Sequence, residues 1–183
     1  MRVVDTGRVP SAPAAPPLSR IARERKLRYF FDRIAPGAAI LEVGCADGWV
    51  GRWATEHGHH VTGIDIVPPA NPSADVIVGD IREWRALGLA PASFDVIIAF
   101  EVIEHGDVAG ALHDLLTPDG RLMVTTPVPR MDWACRLGEA VGLLQRRTSP
   151  HTHLVDVRDV PGFTVVDRRV VGLIAQWGVL RPA

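Results

Sequence analysis

Ile40-Leu41-Glu42-Val43-Gly44-Cys45-Ala46-Asp47-Gly48-Trp49-Val50 is an apolar run broken by small residues and resumed at helical spacing. It reads as a buried strand, a tight turn and the first turn of a helix, the opening unit of an α/β sheet. Small residues at Gly44, Ala46 and Gly48 let a ligand approach the backbone, and the helix that follows presents unpaired N–H groups. A dinucleotide fingerprint would need glycine at positions 46 and 49, which hold Ala46 and Trp49, and no phosphate-binding G-x-x-x-x-G-K-[ST] loop occurs. Pyrophosphate is therefore disfavoured. Asp65, about twenty residues beyond Gly44, stands where a doubly wound fold receives ribose hydroxyls. Glu42 would repel a phosphate but attract an ammonium. Together these residues describe a nucleoside carrying a positively charged amino acid.

Outward from this unit, apolar runs alternate with helical segments. Strands are predicted at Ala38–Val43, His60–Ile64, Asp75–Val78, Phe94–Phe100 and Arg121–Thr126, with helices near Trp49–His57, Ile81–Leu87 and Asp107–Leu116. Continuous apolar strands joined by helices imply a mostly parallel sheet covered on both faces. Leu18–Ile34 is an amphipathic helix leading into it, stopped by Pro36-Gly37. Pro68 to Pro72 predicts an abbreviated loop in place of a crossover helix. Residues 128–152 read as a helical flap, and Phe163–Val170 with Leu173–Leu180 as an antiparallel edge hairpin. The Pro/Ala-rich residues 1–17 form a flexible tail, and residues 18–183 form one domain.

Composition narrows the function classes. The 183 residues are 47% apolar and 22% charged, with 20 basic against 21 acidic side chains, as in one soluble domain. Balanced charge argues against a dedicated nucleic-acid binder or a polybasic membrane anchor. Cys45 and Cys135 form no C-x-x-C pattern, and neither a membrane span nor a signal-peptide run is present, so a cytoplasmic location is expected. Nineteen of the twenty basic residues are arginine, Lys26 being the exception, which reads as coding bias rather than chemistry.

The order of motifs resembles the S-adenosylmethionine-dependent methyltransferases with a Rossmann-like fold, from about Leu27 to Leu180. LEVGCADG is similar to their first motif, Asp65 to the ribose acid, Gly79-Asp80-Ile81 to the adenine segment, FDVIIAFEVIEH to the fourth motif and LTPDGRLMVTTP to the strand that follows. The resemblance implies a doubly wound seven-stranded sheet with an antiparallel edge strand. It also implies a cofactor held by Glu42, Gly44, Cys45, Ala46, Gly48, Asp65, Ile66, Asp80, Ile81 and Phe100. Cys45 reads as a small turn residue with no base beside it, and although Asp80 could be only the N-cap of the Ile81 helix, the registered positions of Asp65 and Asp80 after two successive strands favour binding. Trp49, Trp53 and Trp84 read as packing residues, and His57, His59, His60 and His113 as surface histidines.

Glu101-Val102-Ile103-Glu104-His105 lies at the carboxyl end of the fourth strand, where methyl transfer would occur. Two carboxylates and an imidazole, with His151 and His153 beyond the fifth strand and His153 preferred, can converge on magnesium, manganese or zinc. The ExxEH string is similar to that of ubiquinone-biosynthesis O-methyltransferases and of small-RNA terminal ribose methyltransferases, which implies a metal held by Glu101, Glu104, His105 and His153. The same string occurs in methyltransferases with no recognised metal, where Glu101 lines the cofactor edge and Glu104-His105 starts the next helix. A hydroxyl acceptor needs its proton removed, so Glu101, His105 and His153 are the catalytic candidates. O-methylation of a small-molecule acceptor is the leading expectation. Methylation of an RNA terminal ribose and non-catalytic cofactor binding are the rivals.

Overall fold

The computed structural model describes residues 17–46, 48–68, 75–131, 133, 137, 140, 142 and 154–183. Its elements run α1 (Pro17–Phe31), β1 (Ile40–Val43), α2 (Trp49–Glu56), β2 (Val61–Asp65), β3 (Asp75–Val78), β4 (Phe94–Phe100), α3 (Ala109–Leu115), β5 (Leu116–Pro127), β6 (Phe163–Val171) and β7 (Ala175–Pro182). The seven strands form one sheet in the order β3-β2-β1-β4-β5-β7-β6. The first five are parallel, while β7 runs antiparallel between β5 and the outermost strand β6. Strand order reverses between β1 and β4, which opens a crevice at their carboxyl ends.

Alternation along the central strands sends side chains to two separate cores. Ile40, Val96, Ile98 and Met123 join Phe30, Val50 and Ala54 beneath α1 and α2. Leu41, Ile97, Ala99 and Leu122 join Leu112 and Leu115 of α3 on the other face. Burial on both faces explains why β1 and β4 read as unbroken apolar runs. Leu27, Phe30 and Phe31 bury the apolar face of α1, whereas Ile21 stays about half exposed. Among the described residues no helix is long and apolar enough to cross a membrane.

Three expected elements differ in form. The helix expected at Ile81–Leu87 is a 3-10 turn, Ile81–Glu83, followed by tight turns. Leu87 fills the space above Gly79, and Gly88, at φ +79°, ends the segment while Leu89 N–H bonds the Trp84 carbonyl. The strand expected at Arg121–Thr126 begins earlier, because Leu116 already pairs with Phe94 across an irregularity. The helix expected at Asp107–Leu116 is confined to Ala109–Leu115 for the same reason. Residues 1–16, 69–74 of the proline-rich link, and 143–153 of the flap with its histidines lie outside the described residues. Gln176, fully buried on β7, accepts from Val157 N–H and donates to the Val155 and Pro127 carbonyls, fastening the segment beyond the flap to the sheet.

Candidate functional site

The β1–α2 turn is built on left-handed backbone. Gly44, Ala46 and Gly48 have φ of +74°, +44° and +69°. Glycine is required at 44 on two counts, since a Cβ there would also sit 2.7 Å from Val102 Cγ2. Ala46 departs from glycine at a conformation that costs an L-residue about 1–2 kcal/mol. Its N–H donates to Asp65 Oδ2 at 2.8 Å, which holds the turn in place. Asp65 Oδ1 accepts from Val67 N–H at 3.0 Å. A carboxylate offers about four lone-pair sites, so two contacts leave capacity for a diol. Asp65 is half-buried at the end of β2, beside the exposed Ile66.

Cys45 is buried, with Sγ packed toward Gly63. Burial, then the charges of Glu42 and Asp65, push its thiol up to about 12, so it fills the turn and is not a nucleophile. Glu42 is buried in β1 between Gly63 and Ile98. Asp80 caps the following turn by accepting from Arg82 N–H at 3.0 Å and pairs with the Arg82 guanidinium. Those hydrogen bonds outweigh partial burial and hold its carboxyl below the usual range. Asp80 is thus a cap, and Ile81 packs into the apolar core. Trp84 is buried too, Trp53 stacks on His57, and Trp49 stacks at 26° on Phe100.

The second cluster stands at the carboxyl ends of β4 and β5. Glu101 adopts φ +56°, fixed by its N–H bonding the Thr125 carbonyl at 2.8 Å. Its Oε1 accepts from Lys26 Nζ at 2.9 Å and Thr125 Oγ1 at 2.8 Å, while Lys26 also donates to Thr125 Oγ1 at 3.1 Å. The ammonium lies 5.5 Å from the Phe100 ring centroid. Burial opposes ionisation of Glu101, but the Lys26 charge and hydrogen bonds from Lys26, Thr125 and Glu104 win, so its carboxyl is held below the usual range. Glu104 is fully buried, and burial followed by the Glu101 charge pushes it up to about 9. One member of the pair keeps its proton and hydrogen-bonds the other, as two adjoining carboxyls require.

Lys26 was not recognised as functional in the sequence, although being the sole lysine among twenty basic residues was the available clue. The cation set expected from ExxEH does not assemble among the described residues, where no cluster of three metal-ligating side chains occurs. An ammonium already occupies Glu101, Glu104 is neutral and buried, and His105 is exposed. His153 lies outside the described residues. The described members of that set, with Lys26 already paired to Glu101, do not fit a divalent ion.

Comparison with known proteins agrees with this geometry. A family model described as "Methyltransferase domain" matches residues 18–160. The chain is 33% identical over 117 residues to a ubiquinone biosynthesis O-methyltransferase of Xylella fastidiosa, covering 55% of this chain and 47% of that protein. It spans about half the length of the curated relatives it matches. A Pyrococcus horikoshii crystal structure shares the fold with TM-score 0.70 at 18% identity, covering 94% of this chain and 97% of that one. A Burkholderia thailandensis 1,6-didemethyltoxoflavin N1-methyltransferase, solved with S-adenosylhomocysteine, gives TM-score 0.61 at 18% identity over 91% and 79% of the two chains. The family match covers most of the chain and the fold is shared with these structural neighbours, so the chain belongs to the methyltransferase domain family.

Proposed function

We propose that this methyltransferase transfers the cofactor's methyl group to a hydroxyl oxygen of a small-molecule acceptor. The observation that carries the reading is the Lys26–Glu101–Thr125 cluster at the carboxyl ends of β4 and β5, on the same sheet edge as Asp65. The relatives named as O-methyltransferases support the same choice of atom. Asp65 receives the ribose hydroxyls, and the turn at Gly44, Cys45, Ala46 and Gly48 lies along the ribose and methionine part. Glu42 faces the ammonium end. Asp80, Ile66 and Phe100 border the adenine and the reacting end.

Methyl transfer is an in-line displacement, in which the acceptor oxygen forms a bond to the methyl carbon as the carbon–sulfur bond breaks. The enzyme chiefly aligns the two atoms and manages the hydroxyl proton. An ionised Glu101, held by two donors and still 41% exposed along its side chain, can accept a hydrogen bond from that hydroxyl and fix its direction. Radiolabelled methyl transfer to phenols, sugars and short RNAs tests the reading. Label recovered as a base-stable ether on a small phenol or sugar is expected. Label found only on nitrogen, on RNA, or on no acceptor despite cofactor binding would reject it.

A further inference from the structure

The ExxEH string implies a divalent cation, yet the structure puts a lysine there. Lys26 is the chain's one lysine, and α1 carries it into contact with the ends of β4 and β5. Its side chain is only 14% exposed, so this is a built-in position and not a surface pairing. Its ammonium bonds Glu101 Oε1 and Thr125 Oγ1, two oxygens only 2.8 Å apart, and the Phe100 ring flanks it. Thr125 closes the triangle by donating to the same Glu101 oxygen. A metal at Glu101 would have to displace both donors and then lie against a fixed positive charge.

We propose that Lys26 is the resident cation of the acceptor site, and that the site takes an acceptor with one isolated acidic hydroxyl of the phenol type, not a vicinal diol. The inference rests on the O-methylation reading above. A divalent ion has several open positions and can chelate two neighbouring oxygens. An ammonium tethered to Glu101 and Thr125 is a point charge that does not chelate a pair of oxygens. A phenol also suits a site that holds an ammonium in place of a divalent ion, since no metal is then bound to the hydroxyl to lower its pKa and the hydroxyl must be intrinsically acidic. In the reaction the phenol oxygen bonds to the methyl carbon, and the carbon–sulfur electron pair returns to sulfur as the neutral thioether. The hydroxyl proton passes by way of Glu101 to solvent, and the Lys26 ammonium stabilises the oxygen as its charge grows.

Two measurements test this. Manganese titration followed by electron paramagnetic resonance needs neither cofactor nor acceptor. The wild-type chain is expected to show no site tighter than about 1 mM, a threshold chosen against the sub-millimolar affinities of dedicated divalent sites. A tighter site that vanishes in Glu101→Gln would overturn the proposal. In the second, methyl transfer is compared between monohydroxy and ortho-dihydroxy benzoates with and without chelator. Turnover of the monohydroxy acceptor, unchanged by chelator, is expected. Lys26→Met should lower kcat/KM by about 10²-fold, the usual worth of one donor at a developing oxyanion. Lys26→Arg should recover most of that loss, with cofactor affinity unchanged in both variants. Activity abolished by chelator and restored by magnesium, or Lys26→Met as active as wild type, would overturn it. Transfer to nitrogen acceptors alone would reject the O-methylation reading while the manganese titration still decides the cation.

Discussion

Asp65 does two jobs that one pair of substitutions can separate. Its carboxylate accepts from Ala46 N–H at 2.8 Å and Val67 N–H at 3.0 Å, so it braces the turn before any ligand arrives. Hydrogen bonds to a charged group contribute about 1.5–3 kcal/mol each. At a half-exposed site water replaces much of this when the carboxylate is removed, so Asp65→Ala should cost about 1–2 kcal/mol of stability in total. For a chain of this size that is a Tm lower by about 2–8 °C. Loss of the charge-assisted contact to the ribose diol should cost a further 1.5–3 kcal/mol of cofactor affinity, roughly 10- to 150-fold in Kd. Asp65→Asn keeps one acceptor oxygen but turns an NH2 toward a backbone N–H, so it should give an intermediate Tm with most of the affinity loss. Calorimetry with S-adenosylmethionine and S-adenosylhomocysteine, alongside thermal melts, reads both quantities. Unchanged Kd in Asp65→Ala, or tighter binding of NAD than of the sulfonium cofactor, would refute the reasoning.

Gly44→Ala must place a Cβ at φ +74° and 2.7 Å from Val102 Cγ2, so it should destabilise by about 2–4 kcal/mol, read from denaturant midpoints. Tyr29 is the chain's one tyrosine, and burial plus its hydrogen bond to Asp167 raise it to about 12. Absorbance at the phenolate band should therefore show a single transition well above 10 in the folded protein, and a transition near 10 would contradict that environment. Glu104 has a folded pKa of about 9, above its unfolded value, so the folded state holds the extra proton and stability falls as pH rises through that interval. Glu104→Gln removes this dependence, and its Tm should gain on wild type steadily between pH 5 and pH 9; a constant difference would show Glu104 to be ionised in the fold.

Much of the fold was legible because its strands are buried on both sides. Runs such as Phe94–Phe100, apolar except for Asp95 near the start, read as strands because both of their faces meet a core. The errors fell where local pattern competes with tertiary contact. Ile81 to Leu87 has helical spacing, but Leu87 folding onto Gly79 and the left-handed Gly88 close the segment after tight turns. Leu116 is spaced as the end of α3, yet pairing with Phe94 claims it for β5. Gln176 carried no warning at all, because a polar residue in a strand gives no hint that the Val155 carbonyl and Val157 amide of another segment, with the Pro127 carbonyl of β5, await it.

The site was legible to the extent that it lies within single motifs. Asp65 ends β2 and Glu101 follows β4, and in a parallel sheet those positions share one edge whatever the side chains do. Lys26 belongs to neither motif. It lies 75 residues from Glu101, and its meaning depends on where α1 packs, which Phe30 and Phe31 decide from within the core. Charge arithmetic explains why the contact matters. Glu101, partly exposed, and Glu104, fully buried, are neighbours at one corner of the site, and two bare carboxylates there would repel. One proton on Glu104 and one ammonium beside Glu101 leave a cluster without net charge: −1 from Glu101, zero from Glu104 and +1 from Lys26. Replacing the ammonium by a divalent ion would leave that corner positive unless Glu104 also gave up its proton, against the burial that retains it. The helix that supplies Lys26 therefore determines the chemistry available to a motif it does not belong to.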